Sequence, residues 1–198
     1  MKLYGSHRSP YVQKVRVFIR EKGIPCDFLD VRPASAEVVA LNPLSQIPTL
    51  ELDNGSGIFD STVIVDYIDG AWPERPLIPQ AFAERIEVRR WEALCDGMAD
   101  SARMIKYEAS ADAASRKGAD YFAKHQGKVD RGMLFIDAAI AGRKYCVGNS
   151  LTLADVAFAA AYAYITQNLP EMSILGQTPA ARAHAESLFA RPSFSILV

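Results

Sequence analysis

Apolar and polar positions change their period about a third of the way along the chain. At the start, Lys2 to Gly5 is short and apolar enough for a strand. Val12, Val15 and Ile19 then recur at three- and four-residue spacing, the signature of one buried helix face. Ser9 suits the cap of that helix, Pro10 its first turn and Gly23 its end. Cys26 to Val31 predicts a second strand, and Ser35 caps a short helix through Leu41. Pro48 to Leu52 predicts a third strand, closed by the turn signal Asp53-Asn54-Gly55, with Ile58-Phe59 returning antiparallel. Ser61 begins a helix with Ile64 and Ile68 on one face. The predicted order is β-α-β-α-β-β-α, a compact α/β unit.

Between Trp72 and Pro79 three prolines fall in eight residues, which predicts a stiff linker without regular structure. Strand signals stop there. Trp91, Leu94, Cys95, Met98, Ala102 and Ile105 form one long helical stripe, and Val129, Met133, Ile136 and Ile140 form another. Thr152-Leu153-Ala154-Asp155 resembles a capping box, with Asp in place of Glu, opening an apolar helix through Thr166. Thr178-Pro179 starts a last helix that ends before Pro192. The expected architecture is therefore α/β plus all-α: residues 1–79, linker included, then a helical bundle over 80–198.

Composition narrows the function classes. Of 198 residues, 49% are hydrophobic and 23% charged, as in an ordinary globular protein with a proper core. Lys and Arg number 22 against 23 Asp and Glu, and this balance argues against nucleic acid or an anionic membrane as a partner. The most apolar stretch, Val156 to Thr166, is too short to cross a bilayer, and the N-terminus lacks a signal-peptide core. Cys26, Cys95 and Cys146 lie far apart, which fits reduced thiols in the cytoplasm. His7, His125 and His184 are isolated, so no metal is expected.

Three local patterns coincide in order and spacing: Ser9-Pro10-Tyr11-Val12 with Lys14-Val15-Arg16 and Glu21-Lys22-Gly23-Ile24; Asn42 to Pro48; and Asp60-Ser61 with Ile64 and Tyr67-Ile68. With Leu151 to Asp155 and the closing Arg191-Pro192-Ser193-Phe194, they make nearly the whole chain resemble the soluble glutathione transferases, especially the serine-type bacterial and plant-like ones. The resemblance implies a thioredoxin-like N-terminal domain and a C-terminal helical domain. It further implies glutathione as co-substrate, with no tightly bound cofactor, and an electrophilic small molecule as second substrate.

In that frame Ser9 stands where thioredoxin-like redox proteins carry their first Cys, and Val12 replaces the second, so a dithiol cycle cannot run. A hydroxyl at a helix N-terminus remains, a place that favours an anion. The resemblance makes that anion the glutathione thiolate, with Ser9 as its hydrogen-bond donor and Ser6 as the fallback hydroxyl. Ile47 and a cis Pro48 would pair with the peptide backbone, Gln46 stands where related enzymes often carry Lys, and Asp60 and Ser61 would take the γ-glutamyl end. Asp100 is assigned to the glutamyl ammonium of a neighbouring subunit in a homodimer whose seam includes Met98 and Ala102. Tyr11, Met104 and Tyr107 are the candidate wall of the electrophile pocket. A non-catalytic or regulatory partner-binding protein on the same fold is the alternative that Gln46 and Asp60 leave open.

Overall fold

The computed structural model describes residues 1–112 and 114–198. Strands β1 (Lys2–Gly5), β2 (Asp27–Asp30), β3 (Thr49–Glu51) and β4 (Gly57–Ile58) alternate with helices α1 (Pro10–Lys22), α2 (Ala36–Leu41) and α3 (Ser61–Ala71), in the expected order. The sheet runs β2-β1-β3-β4. β1 is parallel to β2, with Leu3 opposite Phe28, and antiparallel to β3, with Leu3 also opposite Leu50. Val12, Val15, Ile64 and Ile68 of α1 and α3 are fully buried, and the two helices pack against each other.

Local chemistry accounts for the ends of α1. The Ser9 hydroxyl accepts from the Val12 N–H at 3.4 Å, Pro10 occupies the first turn, and Gly23 closes the helix at φ 68°, a left-handed conformation that costs glycine little. β4 ends one residue earlier than the hairpin pattern predicts. Gly57 explains its placement: a Cβ there would lie 2.5 Å from the Leu41 carbonyl oxygen, so only glycine lets the strand pass beneath α2. Phe59 is released to line a cleft instead.

The proline-rich segment has no regular structure, but proline does not hold it alone. The Asp69 carboxylate, buried at the end of α3, accepts from the Leu77 and Ile78 N–H groups at 2.9 and 3.1 Å and from the Lys22 ammonium at 2.7 Å. A matching clamp closes the far end of the chain on α1. Glu21 accepts a bidentate bond from Arg191 at 2.8 and 3.0 Å and a third from the Ser193 hydroxyl.

Beyond the linker, α4 (Phe82–Ser110), α5 (Ala119–Ile140), α6 (Leu153–Asn168), the short α7 (Ile174–Gln177) and α8 (Pro179–Phe189) form the bundle. Every residue from Leu153 to Ile165 is buried, because α6 is the central rod against which α1, α4 and α8 pack. Met98 and Ala102, expected at a seam between copies, are instead buried within the chain. Gly132 is the reason: a Cβ there would lie 2.4 Å from the Met98 sulfur, so α5 closes directly over α4. No described helix is long and apolar enough to cross a membrane.

The capping box at the head of α6 forms as the sequence implies and reaches further. Asp155, fully buried, accepts from the Thr152 N–H at 2.9 Å, from the Cys146 N–H at 2.8 Å, and meets His184 Nε2 at 3.1 Å. Removing it strands two buried backbone donors at once. Asp155→Ala should therefore cost roughly 3–5 kcal/mol of stability, against about 1 kcal/mol for Thr152→Ala, as read from urea midpoints.

Candidate functional site

A cleft of about 650 Å³ lies between the α/β part and the bundle. One wall is built by Ser9 and Tyr11 of α1, the turn Gln46-Ile47-Pro48, and Asp60-Ser61 at the head of α3. The opposite wall is α4, which presents Asp96, Asp100, Arg103, Lys106 and Tyr107, with Tyr164 of α6 behind. Stretches that lie far apart in sequence thus converge on one cavity.

Each element brings its residue by a distinct local device. Ser9 is half-buried at the N-terminus of α1. The Ile47–Pro48 bond is cis, as the resemblance implies. Its turn is pinned by Asn42, a buried side chain whose amide donates to the Gln46 carbonyl at 3.0 Å and to the Thr49 hydroxyl at 3.2 Å. Gln46 itself is exposed at the cleft edge. Asp60 is exposed and caps α3 through the Thr62 N–H at 2.8 Å, while Ser61 is buried on the cleft floor.

Met104 departs from expectation, and Asp100 lies in the cleft of its own chain. Asp100, assigned to a neighbouring subunit, there accepts from the Tyr11 hydroxyl at 2.6 Å and from Arg103 at 3.2 Å. Burial, and then the bond to Asp100, push the Tyr11 hydroxyl well above its ordinary range. Met104 does not line the cleft, although Tyr11 and Tyr107 do. On a helix of 3.6 residues per turn it falls about a quarter turn away from the stripe formed by Asp96, Asp100, Arg103 and Tyr107.

Sequence reasoning missed the cation beneath the site. Lys14 is completely buried, and its ammonium meets Glu92 at 2.8 Å and Asp96 at 2.7 Å. Glu92 also accepts from Arg89 at 2.6 Å and from the Thr62 hydroxyl at 3.3 Å, and Arg89 continues to Asp66. Burial alone would raise the Glu92 carboxyl; Lys14 and Arg89 outweigh it and hold it below the usual carboxylate range. At Asp96 burial wins over Lys14, and its carboxyl is raised. The only advance signal was a Lys inside the α1 pattern, which reads equally well as a solvated charge.

Among the described residues one group has ligand atoms close enough for a metal: Cys146, Asp155 and His184, all buried, within 4.8 Å of one another. His184 is therefore not isolated, as its place in the sequence suggested. The Asp155 oxygens are already engaged by backbone N–H groups, and the group is accounted for as the capping network of α6.

The ion cluster makes a testable demand. Lys14→Met takes the central cation from buried Glu92 and half-buried Asp96 and should cost about 3–5 kcal/mol in denaturant unfolding; adding Glu92→Gln should recover part of it. The deficit should shrink as pH falls below the ordinary carboxylate value, about 4, toward the lower one that Glu92 has in the folded protein. There the normal protein loses the stability that its depressed Glu92 supplies, while the variant protonates the stranded carboxyl.

Comparison with known proteins adds independent findings. Residues 3–76 match the family model described as the glutathione S-transferase N-terminal domain, and residues 94–192 match that of its C-terminal domain. A glutathione S-transferase of Methylobacillus flagellatus, solved with GSH bound, is 37% identical with a TM-score of 0.93, covering 100% of this chain and 98% of its own. One of Methylobacterium radiotolerans, solved with glutathione sulfonate, is 31% identical with a TM-score of 0.92, covering 98% and 92%. The GST-like protein YibF of Escherichia coli is 29% identical over 197 residues, covering 98% of this chain and 96% of its own.

Proposed function

Because the chain belongs to the glutathione S-transferase family, we propose that it is a serine-type transferase that holds glutathione as a thiolate at Ser9 and directs it at an electrophilic carbon. The observation that carries this reading is the convergence of Ser9, the Ile47–Pro48 turn and Ser61 on one cleft. Each of the three supplies what one part of glutathione needs. Ile47 offers backbone groups to the cysteinyl peptide, and Gln46 lies within the same turn. The head of α3 offers N–H groups and the Ser61 hydroxyl to the γ-glutamyl carboxylate. Its ammonium fits between Asp60 and Asp96, two carboxylates that line the same cleft.

Capping and thiolate binding are compatible at Ser9. A hydroxyl has one donor and two acceptor sites, so Ser9 can accept from Val12 and still donate to sulfur. A free thiol ionises near pH 8.5, and lowering that by about two units needs roughly 2.7 kcal/mol of preference for the thiolate. One charge-assisted hydrogen bond of about 1.5–3 kcal/mol and a helix-terminus contribution of about 0.3–1 kcal/mol suffice. Tyr11 and Tyr107 flank the space left for the electrophile. In this reading the glutathione domain ends at residue 79 and the helical domain begins at 80. The protein works in the cytoplasm, which suits its three free cysteines.

We also assign it a homodimer, through a surface other than the Met98–Ala102 seam. Val63 of α3, Ile86 of α4, and Leu134 and Phe135 of α5 are exposed apolar side chains. Asp66 pairs with Arg89, and Arg90 lies over the Phe135 ring, so these faces adjoin. A second copy related by a two-fold axis is the simplest cover for such a patch.

Three measurements test these statements. Glutathione at 100 times its Kd should raise stability by about 2.7 kcal/mol in a thermal shift, and no shift at millimolar glutathione would remove the reading. Ser9→Ala should return the bound thiol, followed by thiolate absorbance, toward its free pKa, with turnover falling far more than glutathione affinity. Sedimentation should give a dimer that Ile86→Glu with Phe135→Glu dissociates; a monomeric native protein would refute the assembly.

A further inference from the structure

The end of the cleft away from Ser9 is charged where a neutral electrophile would need only apolar walls. Tyr11, two residues beyond Ser9, donates to Asp100 on the α4 wall. Lys106 lies six residues further on, about 9 Å along the helix axis. Between them the Arg103 guanidinium sits 5.7 Å from the ring centres of both Tyr11 and Tyr107, and it donates to Asp100 at 3.2 Å. Lys106 is different. Its half-buried ammonium donates to the Asn168 side-chain oxygen at 2.6 Å and lies 5.9 Å from the Tyr164 ring. It pairs with no carboxylate among the described residues.

Two cations and one carboxylate therefore meet at this end, leaving one positive charge uncompensated in a partly dehydrated, aromatic-walled space. Such a charge attracts an anion more strongly than it would in open water. Tyr107 and Tyr164 add ring faces suited to a flat apolar group. The peptide-binding turn at Gln46–Pro48 and the head of α3 belong to the opposite wall, so Lys106 is free of the work assigned to glutathione.

We propose that the preferred electrophile is a planar aromatic molecule bearing a carboxylate, with its ring between the tyrosines and its carboxylate on Lys106. The proposal rests on the glutathione reading above and names the class of the second substrate. For an aryl chloride of this class, the glutathione sulfur forms a bond to the ring carbon, chloride leaves with the electron pair of the C–Cl bond, and the thiol proton passes to solvent.

The test compares chlorodinitrobenzoate with chlorodinitrobenzene, each kcat/KM divided by the uncatalysed rate constant. The benzoate should be favoured by roughly tenfold, the scale of one charge-assisted hydrogen bond. Lys106→Gln should abolish that preference, Lys106→Arg should keep it, and added salt should weaken it. Calorimetry with S-benzylglutathione and its carboxybenzyl counterpart repeats the comparison without turnover. Binding of both with no preference for the carboxylate overturns this proposal alone. Binding of neither overturns the glutathione reading and this proposal with it. A rise in the KM for glutathione in Lys106→Gln, with the benzoate preference intact, would assign the ammonium to glutathione and also overturn the proposal.

Discussion

A buried ammonium holds the two walls of the cleft together. Lys14 has no access to water, and an unpaired charge in that position would cost several kcal/mol. It must keep Glu92 and Asp96 of α4 within hydrogen-bond reach, and Glu92 in turn draws in Thr62 of α3 and Arg89. Three helices from the two parts of the molecule are therefore fixed around one point. Ser9 and Tyr11 lie just N-terminal to Lys14 on α1, and Asp100 lies one turn beyond Asp96 on α4. The spacing of the cleft is set by an ion cluster whose separation would strand charges in the interior.

Apolar packing gives that cluster a rigid setting. α6 touches α1, α4 and α8 and is buried over its first thirteen residues, so neither part can shift without exposing its core. Its head is secured by Asp155, which gathers the Thr152 and Cys146 N–H groups, and the linker joins it through the Leu77 carbonyl, which accepts from the Leu153 N–H at 2.8 Å. The Glu21–Arg191 clamp brings the end of the chain back to α1. Function can then occupy exposed turns and helix ends, because the scaffold beneath them is over-determined.

The cleft divides its chemistry between its walls. The α/β wall offers backbone groups, hydroxyls and helix N-termini, which suit a peptide with a carboxylate and a thiolate. The α4 wall offers aromatic faces and two cations. Among the described residues none of the acidic side chains pairs with Lys106: Asp96 is held by Lys14, Asp100 by Tyr11 and Arg103, and Asp60 by the head of α3.

Whatever depends on neighbours along the chain could be read from the sequence. The strand and helix order apart from the short α7, the Ser9 and Ser35 caps, the Gly23 stop, the Thr152–Asp155 capping box and the change to helices after Pro79 all follow from periods and short-range hydrogen bonds. The residues of the α/β wall were legible as well, because they sit in compact motifs at helix and strand ends. The α4 wall was not. A helix offers several faces, and only packing decides which one meets the cleft, so Met104 was read as wall while Arg103, Lys106 and Tyr164 were passed over. Lys14, Glu92 and Asp69 look like surface charges in one dimension. The inference of a seam at Met98 failed for the same reason, since nothing near it in sequence announces that Gly132 will let α5 close over it. The sequence by itself determined local conformation and the motif-borne half of the cleft lining. Only the tertiary structure decided which charges lie buried and which helix faces meet, because both depend on partners tens of residues away.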